Sequence, residues 1–145
     1  MKEEEIPERK DYTEYPREYF SDVEGPYSLD DNAFELAGFL IPKGHEFFRQ
    51  LSAYDDYLAD IIEKEGYKPG DTLRLQIPFL KAFGATNKIL EEFSTKNINV
   101  LPGTKDCLQY LSENMRCYLI STSYEPYIRA FCKVIGFGLS FVVLL

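Results

Sequence analysis

The sequence predicts an α/β fold: a small, Rossmann-like parallel sheet with a helical block inserted after the first strand. Three observations carry this. Tyr19-Phe20 leads into Ser21-Asp22 and stops at Gly25-Pro26, the pattern of a short strand ended by a turn. Cys117-Tyr118-Leu119-Ile120 is a second compact apolar run with helical spacing on either side. Between them, apolar residues recur at helical spacing through residues 31–97. At 145 residues the chain suits one domain able to bury roughly 70% of its unfolded surface.

The elements follow in order. Residues 1–16 are charged, include Pro7 and Pro16 and show no apolar period, so burial cannot offset the entropy of ordering and a loose tail is expected. Asp30 or Asp31 can cap a helix bearing Ala33, Phe34, Ala37, Leu40 and Ile41, which Pro42 and Gly44 end. The clearest helix carries Phe47, Leu51, Tyr54, Leu58, Ile61 and Ile62 on one stripe before Gly66. Its Asp55, Asp56 and Asp60 are expected to form a solvated face. Asp71 can cap a helix with Leu73, Ile77 and Leu80, kinked or shortened at Pro78, although the alternation of Leu73, Leu75 and Ile77 also suits a strand. Thr86 caps a short helix with Ile89, Leu90 and Phe93.

Beyond residue 97 the pattern changes. Ile98, Val100 and Leu101 run extended into Pro102-Gly103, and Thr104 caps a helix presenting Leu108, Leu111 and Met115. The apolar strand comes next. Ser121-Thr122-Ser123 stand at its end, and a last helix starts near Glu125-Pro126 with Ile128, Phe131, Cys132 and Ile135 on one face before Gly136. The predicted organisation is thus a tail at 1–16, a sheet unit from 17–30 and 98–145, and a helical insertion at 31–97.

The balance of 16 basic and 24 acidic residues gives a formal charge of −8, which opposes nucleic acid and anionic membranes as partners. Three widely spaced cysteines embedded in apolar runs, Cys107, Cys117 and Cys132, read as reduced, buried thiols and suit the cytoplasm. The apolar run 134–145 is well short of the roughly 20 residues of a spanning helix, so no direct membrane span is expected.

Two stretches could carry chemistry. Asp22 and Glu24 lie at the carboxyl end of a predicted strand, where open α/β sheets bind ligands. An ionised aspartate can attack phosphorus, and an acid two residues on can protonate the departing oxygen and later activate water. Mg²⁺ would offset the charge repulsion and takes carboxylate oxygens. The same acids beside Gly25-Pro26 also suit an ordinary turn. Ser121, Thr122 and Ser123 open a helix whose free N–H groups attract phosphate, or simply cap it.

Together these stretches resemble the haloacid dehalogenase (HAD) superfamily of aspartate-nucleophile phosphohydrolases. Phe20-Ser21-Asp22-Val23-Glu24-Gly25-Pro26 is similar to the first family motif, Leu101-Pro102-Gly103-Thr104 to the helix start after the cap, and Tyr118-Leu119-Ile120-Ser121-Thr122-Ser123 to the second motif. The resemblance implies a core with a helical cap at 31–97. It makes Asp22 the nucleophile and a Mg²⁺ ligand, and places Glu24 at the acid/base position with its carbonyl toward the metal. Ser121 and Thr122 become phosphate binders, and the substrate a small phosphorylated metabolite. Glu24 departs from the usual aspartate. A narrower resemblance, carried by Ser21-Asp22-Val23-Glu24-Gly25-Pro26, Asp31-Asn32-Ala33 and Tyr54-Asp55-Asp56-Tyr57-Leu58, is to a methanogen family of energy-converting hydrogenase subunits. That would make the chain an accessory subunit with other hydrogenase subunits as partners. The apolar run that ends the sequence suits a third strand, but the family's third-motif lysine and fourth-motif acidic pair find no counterpart before Leu145, so a truncated reading frame with weakened Mg²⁺ binding and impaired activity is expected.

Overall fold

The computed structural model describes residues 17–68, 70–136 and 138, and the backbone of 142–144; the predicted tail at 1–16 lies outside the described residues. Strand β1 (Glu18–Ser21) is followed by four helices, α1 (Asn32–Leu40), α2 (Gly44–Asp56), α3 (Thr72–Ala82) and α4 (Asn87–Asn97). Then come α5 (Thr104–Asn114), β2 (Arg116–Ser121), α6 (Glu125–Ile135) and β3 (Val142–Leu144). The strands form one parallel sheet in the order β1-β2-β3, with Ser21 in register with Leu119 and Leu119 with Val142. The α/β class and the parallel sheet agree with the sequence reading.

Among the described residues, helices cover one face of the sheet. Along β2 the residues Cys117, Leu119 and Ser121 are buried while Arg116, Tyr118 and Ile120 are half-buried, and β1 shows the same alternation. Leu119 and Tyr19 meet Leu108 and Leu111 of α5 and Ile128, Phe131, Cys132 and Ile135 of α6. Seven buried residues make α6 the central helix of this core, and Gly136 ends it in a left-handed turn (φ 72°) that a glycine adopts without strain. A third layer, expected for a doubly wound core, is absent among the described residues.

The helical block leaves and rejoins the sheet unit at one place. Leu29 N–H donates to Asn99 O (3.1 Å), Asn99 N–H donates to the Asp30 carboxylate (2.8 Å), and Ser28 pairs with Val100. Inside the block Leu36, Ile41 and Leu80 form a second core, joined by Phe47, Leu90, Phe93 and by Tyr124 from the sheet unit. Helices α1 and α2 turn so sharply that a Cβ on Gly44 would overlap the Ala37 carbonyl. Asp31 and Thr86 cap α1 and α4 as the sequence predicts, accepting from Phe34 N–H (3.1 Å) and Ile89 N–H (3.2 Å).

Several local expectations change. Cys117 and Cys132 are buried as read, but Cys107 is exposed on α5. Asp55 is buried rather than solvated, because it caps α3 from a distance: its carboxylate accepts from Gly70 N–H, Thr72 N–H, the Thr72 hydroxyl (2.7 Å) and the Tyr67 hydroxyl (2.6 Å). Asp71, the predicted cap, makes no capping bond and pairs with Arg74 instead. Thr104 is the first residue inside α5, not its cap, and its hydroxyl donates to Tyr27 O. After α2 the helix widens into one π turn (Tyr57–Ile61), which shifts the apolar stripe by a residue; Leu58 stays buried while Ile61 and Ile62 are exposed. Pro78 lies inside α3 without ending it.

Candidate functional site

Where β1 ends, the chain folds into a tight loop. Val23 is fully buried and its carbonyl accepts from Tyr27 N–H (3.1 Å) and Ser28 N–H (3.2 Å), while Gly25 N–H donates to Ser28 O (2.7 Å). Buried Tyr127 of α6 anchors the loop through a 2.5 Å hydrogen bond between its hydroxyl and that of Ser28. Anchored this way, Asp22 sits exposed at the carboxyl end of the strand, one Oδ1 accepting from Val23 N–H (2.6 Å).

Glu24 turns the other way. One carboxylate oxygen accepts from Asn32 N–H at the start of α1 (3.1 Å), and the other accepts from the Ser123 hydroxyl. Ser123 N–H donates in turn to the hydroxyl of Ser121, which is buried at the end of β2 (3.0 Å). Asn32 extends the chain into the helical block, its side-chain amide donating to Ser94 of α4 (3.1 Å). A continuous polar line, Ser121–Ser123–Glu24–Asn32–Ser94, therefore joins the strand end to two helices of the insertion. Thr122 is exposed beside it.

Burial pushes the Glu24 carboxyl above the usual carboxylate range; the Asp31 and Asp22 carboxylates push the same way, against the hydrogen bonds from Ser123 and Asn32. A carboxyl so tuned carries a proton more readily than an exposed one. That suits general acid work, but both its oxygens are engaged by protein donors.

The same engagement decides how the residues suit Mg²⁺. With the Glu24 oxygens occupied, Asp22 is the one carboxylate of the pair that faces solvent. Among the described residues no group of three or more His, Cys, Asp or Glu side chains is arranged to hold a metal ion. These residues do not make a Mg²⁺ site by themselves.

The structure thus brings Asp22, Glu24 and Ser121 to one edge of the sheet. Sequence reasoning missed the partners of Glu24. The alternation Ser121-x-Ser123 was a usable signal, since it puts both hydroxyls on one side of an extended segment; Asn32 carried none, because its backbone N–H makes the contact.

No helix among the described residues is long and apolar enough to cross a membrane. No protein-family model matches the chain, and no functionally curated protein does. Among solved structures, it is similar to gene product AF1437 from Archaeoglobus fulgidus, with a TM-score of 0.75 and 38% identity. The match covers 83% of this chain and 38% of that one, so the chain spans well under half the length of the protein it resembles.

Proposed function

We propose that the chain carries the nucleophile of an aspartate-based phosphohydrolase of the HAD type, with α1–α4 as its cap and a small phosphorylated metabolite as substrate. One observation carries the reading: an exposed aspartate at the carboxyl end of a parallel strand, beside a buried serine that ends the neighbouring strand. The hydroxyls of Ser121, Thr122 and Ser123 do not cap α6 as the sequence suggests, because the helix starts only at Glu125, after Tyr124. In the first step an Asp22 carboxylate oxygen bonds to phosphorus and the bond from phosphorus to the substrate alcohol breaks. The alcohol oxygen takes a proton from Glu24, freed from Ser123. Water then attacks the aspartyl phosphate while Glu24 accepts its proton, releasing inorganic phosphate and restoring Asp22. Ser121 and the first turn of α6 hold the phosphoryl oxygens. Mg²⁺, when bound, would neutralise phosphoryl charge; the described residues do not complete its site.

The test is phosphate release from p-nitrophenyl phosphate and a panel of sugar phosphates, with and without Mg²⁺. The Asp22→Asn protein should lose activity by about 10³-fold, the scale of removing a covalent or acid–base catalyst, at unchanged thermal stability. Equal turnover by the two proteins, or none by the wild type, sinks the reading.

A further inference from the structure

Where the helical insertion meets the start of α6, the two parts do not close on each other. A cavity of about 290 Å³ lies between Leu80 of α3, Ala85 and Leu90 around the start of α4, and Tyr124 and Pro126 at the start of α6. Leu80 and Pro126 are buried and the other three half-buried, so the lining is apolar and largely withdrawn from water. Hydrogen bonds hold its walls apart. The Tyr124 hydroxyl donates to Leu73 O (2.7 Å) and lies 3.0 Å from the side-chain oxygen of Gln76. Gln76 is fully buried and fixed by its own amide, which donates to Ala33 O (3.1 Å). The tyrosine ring is therefore pinned toward α3 and cannot swing in to fill the space. On the opposite wall Ala85 N–H donates to Leu80 O (2.9 Å), which sets the turn between α3 and α4. A preformed apolar cavity with a few polar groups at its mouth is the usual form of a small-molecule site.

The charge at that mouth selects the ligand. Glu125 is exposed there, but the Arg129 guanidinium neutralises it, donating to its carboxylate from Nε (2.8 Å). Lys81 also lines the cavity and is exposed, and no carboxylate among the described residues pairs with it. Thr86 and Asn87 bring the amino end of the 11-residue helix α4 to the same mouth, where the helix dipole adds to the attraction for negative charge. The cavity has about twice the roughly 150 Å³ that admits benzene, which suits a body of about ten carbon atoms. We infer that this cavity binds a small molecule with a compact apolar body and one carboxylate, the body against Leu80 and Tyr124 and the carboxylate at Lys81. The site goes beyond the phosphohydrolase reading and does not depend on the chemistry of Asp22. Because its walls come from both the insertion and the sheet unit, an occupant ties the two together and raises the melting temperature.

Probes that share one body separate shape from charge: phenylpropionate, phenylpropanol and phenylpropylamine, each titrated into the whole chain and followed by the methyl resonances of Ile77, Leu80 and Leu90. The propionate should shift those methyls, raise the melting temperature and bind about fivefold more tightly than the alcohol, the scale of one exposed charge pair at a helix end. The amine should bind most weakly. Lys81→Gln, which alters an exposed side chain, should remove the preference for the propionate and leave the affinity for the alcohol unchanged. Ala85→Phe fills the cavity and should abolish binding of all three; if that protein does not fold, Lys81→Gln decides alone. Failure of the propionate to bind saturably, shifts confined to other residues, equal affinity for the three probes, or a preference that survives Lys81→Gln overturns the proposal. Turnover of p-nitrophenyl phosphate is a separate measurement: its absence defeats the catalytic reading and leaves this site standing.

Discussion

Two sequestered carboxylates, Asp55 in the helical block and Glu24 at the strand end, are held in opposite ways. Burial raises the pKa of both, but Asp55 collects hydrogen bonds from Tyr67, Thr72 and the Gly70 and Thr72 backbone, which together hold its carboxyl below the ordinary value. Glu24 has two donors and two nearby like charges, and ends above it. The difference separates a structural carboxylate from a poised one: full satisfaction fixes charge and position, partial satisfaction leaves a group that can change protonation.

The comparison breaks first at Asp55. Replacing it with alanine leaves the start of α3 without its acceptor and should cost about 3 kcal/mol in chemical denaturation; a loss under about 1 kcal/mol would show that water substitutes for the carboxylate. Thr72→Val removes one donor of the set and should cost about 1 kcal/mol by the same measurement. A pH series sharpens the contrast, because the two signs oppose. Asp55, with a folded pKa below its ordinary 3.8, contributes stability that is full above 3.8 and lost as pH falls through the folded value. Glu24, with a folded pKa above its ordinary 4.5, contributes stability that is full below 4.5 and lost as pH rises through the folded value. Melting temperatures of Asp55→Asn and Glu24→Gln across that range should therefore diverge from wild type in opposite directions. The smallest effect is Glu24→Gln at neutral pH, within about 0.5 kcal/mol of wild type, since a neutral amide keeps an acceptor for Asn32 and removes the repulsion from Asp22 and Asp31. A large destabilisation there would make Glu24 a second structural carboxylate and remove its claim to proton transfer.

How far the sequence could be read depended on whether a feature was local. Helices α1, α4, α5 and α6 and strands β1 and β2 announce themselves through periodicity and turn residues, and the Asp31 and Thr86 caps through their place before an apolar repeat. Asp55 could not be recognised, because its donors lie 12 to 17 residues away across a turn. The π turn left no mark in composition. At the site, Asp22, Glu24 and Ser121 were legible from their places at strand ends; the orientation of Glu24 was not, since it is set by a backbone N–H of α1 and a hydroxyl 99 residues on. The placement of α5 and α6 was hidden as well: the apolar runs at Phe20 and at Tyr118–Ile120 do not show which face of the sheet those helices cover.

The register of β1 with β2 governs the order in which the molecule assembles. Ser21 pairs with Leu119, so the first strand waits for a partner nearly a hundred positions later in the chain. Closing so long a loop is slow and entropically costly, whereas β2, α6 and β3 are contiguous and the helical block is built from neighbours. Folding should therefore run through two preformed pieces, with docking of β1 the late and rate-limiting event. The strand end that carries Asp22 would then take its final shape last.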